Sequence, residues 1–185
     1  MASGDALGSI IVWDLQTNMS KFVLKSDYGW WWNGIGSIVK LDTNLIANTN
    51  YLSVNIWNVT SGKLISNLTG HTNYVTRLAY LDNNLLASGG EDYTIKIWKV
   101  NTGELKYTLS NYSGGISSLI KLDNDLVAGS SGDGTIKIWS VISGQLRFVL
   151  NGMSIVWKAV RLDGNSLASG HTGYIKIWGA RNGRE

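Results

Sequence analysis

Cysteine is absent from this chain, which excludes disulfides and thiolate metal sites. Histidine is nearly so, with only His71 and His171, a hundred positions apart. Charge is sparse as well. Only 16% of residues are charged, 16 Lys and Arg against 13 Asp and Glu without a basic tail, so a pI near 9.1 is a weak argument for nucleic acid. No apolar run approaches the roughly 18 residues that a membrane span needs. The opening MASGDALGS has no basic-then-apolar leader pattern, so no membrane is expected and the expected location is cytoplasmic, with the nucleus compatible. There is no Gly-x-Ser-x-Gly elbow and no Walker phosphate loop, and GSSGDG at 129–134 is explained by a strand-to-strand turn. Acidic residues are mostly single, at turn positions such as Asp82, Asp123 and Asp163. The expectation is a non-enzyme with no metal and no cofactor. Sequons at Asn18, Asn58, Asn67 and Asn111 are what chance gives in so Asn- and Ser-rich a chain.

What the chain does have is 44% hydrophobic residues at a mean hydropathy of −0.01, the balance of a folded domain, and a repeat. The phrases SIIVWD, SVNIWN, TIKIWK, TIKIWS and YIKIWG end at or beside Trp13, Trp57, Trp98, Trp139 and Trp178, spaced by 44, 41, 41 and 39 residues. Five residues after each Trp stands a turn residue: Asn18, Gly62, Gly103, Gly144 and Gly183. Leu-Asp pairs recur at Leu41-Asp42, Leu81-Asp82, Leu122-Asp123 and Leu162-Asp163, followed by NLIANTN, NLLASGG, DLVAGSS and NSLASGH. Each repeat therefore reads as four short alternating segments divided by Gly, Asn, Asp and Ser turns, the pattern of consecutive antiparallel strands. Four-stranded sheets at this period are β-propeller blades, so the fold class is all-β: blades of four antiparallel strands in an incomplete ring.

The stretch GHTNYVTRLAYLDNNLLASGGEDYTIKIWKV, Gly70 to Val100, resembles the WD-repeat family in its Gly-His, its Leu-Ala-Ser-Gly, its turn aspartate and its closing Ile-Trp. The resemblance covers essentially the whole chain. It implies that His71, Ser88, Asp92 and Trp98 form a buried structural hydrogen-bond network, and that the chain is a rigid platform for partners. Other repeats depart from the pattern. Tyr112 and Gly129 stand for His and Ser beside Asp133 and Trp139; Met153 and Thr172 replace His and Asp beside Ser169 and Trp178; the first full repeat has Asp27, Asn48 and Tyr51 with Trp57. With one intact network, blades held mainly by apolar packing are expected. GHTGY at 170–174 looks like a second Gly-His but precedes Trp178 by only seven residues from His171, whereas Gly70 lies 28 before Trp98.

Repeat units fall at 1–24 (partial), 25–68, 69–109, 110–150 and 151–185 (last strand incomplete), about four and a half blades in a single propeller segment. WD-type propellers usually close with more. A fragment of a longer protein is the leading expectation, followed by a homo-oligomer completing the propeller and a small ring of its own.

Within KSDYGWWWNGIGS, Leu24 to Leu41 spans 17 residues against 13 for Leu68 to Leu81, an insertion of four in the loop joining the outer strand of one blade to the inner strand of the next. By the resemblance that loop lies on the top face. Loop aromatics on a rigid scaffold are usual hot-spot material, so Tyr28, Trp30, Trp31 and Trp32 are expected to form a patch for a protein or peptide. Tyr74, Glu91, Tyr112, Trp157 and His171 are its candidate top-face neighbours. The competing structural reading is that the tryptophans fold back to cap a blade. Carbohydrate or small-ligand binding is the alternative function, because Asp27 and Asn33 flank the triplet. Nucleic acid is not expected, since Lys96, Lys137 and Lys176 recur with the strand, on what should be its outward side.

Overall fold

A computed structural model describes residues 1–5, 8–25, 34–123, 125–152, 154–163 and 166–179. All regular structure among them is β, in five antiparallel sheets that follow one another along the chain. The first comprises β1 (Ala2–Gly4), β2 (Ser9–Asp14) and β3 (Met19–Lys25); the second β4 (Ile38–Lys40), β5 (Leu45–Asn50), β6 (Ser53–Asn58) and β7 (Lys63–Thr69). The third holds β8 (Val75–Tyr80), β9 (Leu85–Gly90), β10 (Ile95–Lys99) and β11 (Leu105–Leu109); the fourth β12 (Ile116–Lys121), β13 (Leu126–Ser131), β14 (Thr135–Ser140) and β15 (Leu146–Asn151). The fifth has β16 (Lys158–Arg161), β17 (Ser166–His171) and β18 (Tyr174–Gly179). Strands pair in chain order, as consecutive hairpins require. The inner strands β4, β8, β12 and β16 lie side by side, and among the described residues the arc of sheets does not close into a ring.

One packing rule joins the sheets. The Ile and Val residues of a third strand, with the Ala of the strand before it, pack on the Trp of the next sheet. Ala87, Ile95 and Ile97 meet Val127 and Trp139; Ala47, Val54 and Ile56 meet Leu86 and Trp98; Ala128, Ile136 and Ile138 meet Leu167 and Trp178. Ile10 and Val12 likewise meet Trp57. Burial of one such side chain contributes roughly 1.5–3 kcal/mol. Strands β5, β9 and β13 are sandwiched on both faces and buried almost throughout, whereas β7 and β15 at the rim are mostly exposed, with one buried residue each. That is why only the outer strands read as half-polar in sequence.

Local chemistry fixes the turns. Asn18, Gly62, Gly103 and Gly144 all have φ between 56° and 71°, the left-handed conformation that turns the third strand into the fourth. At Gly144 the constraint is double, since an added Cβ would lie 2.8 Å from the Tyr107 ring of the preceding sheet. The register between the third and fourth strands shifts just before Trp13, Trp57, Trp98 and Trp139, a bulge in each of these sheets. Asp42 and Asp123 sit in the turns after the inner strands, each Oδ1 accepting two backbone N–H groups.

Candidate functional site

In the third sheet, the loop before β8 delivers His71 to the end of β9. Its Nε2 lies 2.7 Å from Ser88 Oγ and its Nδ1 2.8 Å from Asp92 Oδ2, while the Trp98 indole N–H donates to Ser88 Oγ at 2.8 Å. Burial alone would raise the Asp92 pKa, but the hydrogen bond and charge of His71, aided by Thr72 and Thr94, outweigh it and hold the pKa at about 2. Serine, histidine and aspartate are connected here as in a hydrolase triad. Ser88 is 0% exposed and its Oγ is occupied by the indole, so no substrate carbonyl can reach it.

Beside the apolar clusters that join the sheets, the closing Trp of each sheet also has a polar partner. Trp13 donates to Ser3 Oγ, Trp57 to Asn48 Oδ1, Trp139 to Tyr112 Oη and Trp178 to Ser169 Oγ, at 2.7–2.9 Å. A buried indole N–H left unpaired would cost about 1–3 kcal/mol, and at Trp57, Trp98, Trp139 and Trp178 a side-chain oxygen meets that demand.

Two of the expected top-face residues are therefore interior. Tyr112 is buried, its hydroxyl bridging Trp139 and the Gly129 carbonyl, and that burial raises its pKa. His171 is buried too. Its Nε2 meets Ser169 Oγ at 2.8 Å and its Nδ1 the Ser154 carbonyl at 3.3 Å, and its ring stacks on Tyr174 at 4.7 Å. The apparently misplaced Gly-His at 170–171 supplies the imidazole where the residue before the sheet does not. The lysines are corrected as well: Lys96 and Lys137 are buried, not outward. Lys96 donates to Thr108 Oγ1; Lys137 reaches Asp133 and Thr135 and lies 4.4 Å from the Tyr112 ring centroid; Lys176 sits 4.5 Å over Trp178. Each ammonium group thus finds oxygen or π density: a hydroxyl for Lys96, carboxylate, hydroxyl and phenol ring for Lys137, and an indole for Lys176. Asp133 is held below the usual carboxylate range, because Thr135, Ser113 and Lys137 overcome its burial.

Three expected residues are exposed: Tyr74, Glu91 and Trp157. Trp157 stands apart, in the loop just before the fifth sheet. Tyr74, from the loop before β8, and Glu91, from the turn after β9, line one cleft of about 420 Å³ between the second and third sheets. Tyr51, in the turn after β5, joins them at a φ of 53°, its ring edge-on to Tyr74 with centroids 5.0 Å apart. Arg77 lines the floor, its Nε on the Ser117 carbonyl and its Nη1 on that of Thr76. Gly34 and Gly36 complete the wall. Tyr28, Trp30, Trp31, Trp32, Asp27 and Asn33 lie outside the described residues, immediately before Gly34. Sequence reasoning missed Tyr51 as a surface aromatic because it was aligned with the turn aspartate; its place between two Asn-flanked strands was the available signal.

Among the described residues no cluster of three His, Cys, Asp or Glu could hold a metal ion, and no helix is long and apolar enough to cross a membrane. Residues 62–99 and 103–140 match the family described as WD domain, G-beta repeat. Each match runs from a turn glycine to just past a closing Trp, so it takes the outer strand of one sheet and the inner three of the next. The chain matches no curated protein.

Proposed function

Because this chain carries WD repeats, we propose that it is a non-catalytic scaffold that binds protein or peptide partners through its top-face loops. The observation that supports this reading is the exposed Tyr51–Tyr74 pair beside the Glu91 carboxylate, opening onto a cleft whose wall begins where the tryptophan-rich insertion ends. Two rigid aromatic rings with few rotamers to freeze, on turns anchored by sheet on both sides, are the composition of a binding hot spot. The burial of Ser88 and His71 supports the non-catalytic part, since this arrangement with triad connectivity has no access.

A random peptide library selected against the immobilised chain tests the proposal. Enriched peptides are expected to lose at least about tenfold in affinity for Tyr74→Ser and for a variant with Trp30, Trp31 and Trp32 all changed to Ser, with the melting transition unchanged. Peptides that bind both variants as tightly as the parent would overturn the site.

A further inference from the structure

The two ends of the arc expose opposite halves of the junction that its interior repeats. Ile95, Ile97, Ile136 and Ile138 are 0% exposed beneath the following sheet, whereas Ile175 and Ile177, in the same register of β18, are 74% and 51% exposed. Leu162 is likewise exposed where Leu41, Leu81 and Leu122 are buried. At the other end the tryptophan side of the first sheet is only partly covered: Ile11 and Trp13 are half-buried, and Leu15, two residues after Trp13, is 65% exposed, against 3% for Val141, two after Trp139. Val23 is exposed on the same side.

The polar part of the junction is open in the same way. Arg77 donates from Nε to the Ser117 carbonyl of the next sheet, and Ser118 donates to the Ala159 carbonyl. Lys158 occupies that register in the fifth sheet, exposed. On the receiving side Trp13 is already held by Ser3 Oγ at 2.8 Å, as Trp98 is by Ser88. Among the described residues the first and fifth sheets do not pack on each other.

From this complementarity we infer that the fifth sheet of one copy takes the first sheet of a second copy, head to tail, as an interior junction does. The occupant that face requires is a blade with an indole fixed by a hydroxyl and flanked by aliphatic residues. This chain carries one such face unmatched, so a second copy supplies both the shape and the chemistry. The contact is heterologous; it closes a ring if the rotation between copies permits and stacks open-endedly if not.

Light scattering on a sizing column tests the inference. The wild-type chain is expected to run as assemblies heavier than 20.2 kDa that dissociate on dilution. Ile175→Lys/Ile177→Lys and Leu15→Lys/Val23→Lys each block one face at exposed positions, and each is expected to give a 20.2 kDa monomer with an unchanged strand dichroism spectrum. Association should weaken at least roughly a hundredfold in either variant. Mixed together, the two retain one intact face apiece and should form a one-to-one dimer. Ile175→Ser replaces the first variant if its dichroism is altered. A wild-type monomer at roughly 100 µM, a variant that keeps the wild-type mass, or a mixture that stays monomeric overturns the inference; about 100 µM is set above the Kd range of stable interfaces.

Discussion

The third and fifth sheets contain almost the same strand, TIKIWK at 94–99 and YIKIWG at 174–179, in different surroundings. In the third, both faces are covered and Ser88 receives its imidazole from His71, 17 positions earlier; in the fifth, one face is bare and Ser169 receives its imidazole from His171, two positions later. The difference teaches that burial of these isoleucines is a property of the neighbouring sheet. It also shows that the Ser–Trp pair is completed by whichever side chain geometry brings within reach.

The largest effect should come from placing a charge on each face in turn. Ile97→Lys buries an unpaired ammonium and is expected to cost about 4 kcal/mol or more in denaturant titration, while Ile177→Lys, titrated at a dilution where the chain is monomeric, should stay within about 0.5 kcal/mol. Equal losses would break the comparison. Next, His71→Ala removes the partner of a buried carboxylate as well as of Ser88, and about 2–3 kcal/mol is expected. His171→Ala loses bonds to neutral oxygens, with about 1–2 kcal/mol expected by calorimetry. Tyr112→Phe leaves the Trp139 indole without its acceptor, for about 1 kcal/mol, and should shift tryptophan fluorescence in the fourth sheet without altering the third.

The smallest effect is the acid one. Asp92 is held at about 2, below the ordinary value of 3.8, so its contribution is fully present above about pH 4 and fades as pH falls toward 2. Asp92→Asn should be less stable at neutral pH and should show a flatter loss between pH 4 and 2, read by amide exchange in β9 and β10. A parallel slope would remove Asp92 from the comparison.

The period of the closing tryptophans, the turn residues at Asn18, Gly62, Gly103 and Gly144, and the alternation within strands were legible in the sequence. Each depends on local chemistry: a left-handed turn accepts Gly or Asn, and a pleated strand faces its neighbours at every second residue. The surface was less legible. Tyr74 and Glu91 followed from their loop positions, but Tyr51 entered the cleft only through a neighbouring sheet's turn, and Tyr112 and His171 turned inward because indole N–H groups needed acceptors or their partners. The lysines of the repeated strands misled for a related reason, since spacing gives the side of a strand without saying whether an aromatic ring or a hydroxyl waits there.

The sequence by itself determined an all-β chain of repeated four-stranded units with a regular spacing of turn and indole, because these features are written in contacts a few residues long. Tertiary structure alone decided which imidazole meets which serine, which aromatic rings share a cleft, and which isoleucines are bare. Those outcomes depend on residues from different strands and sheets arriving at one place, and on whether another sheet lies above them.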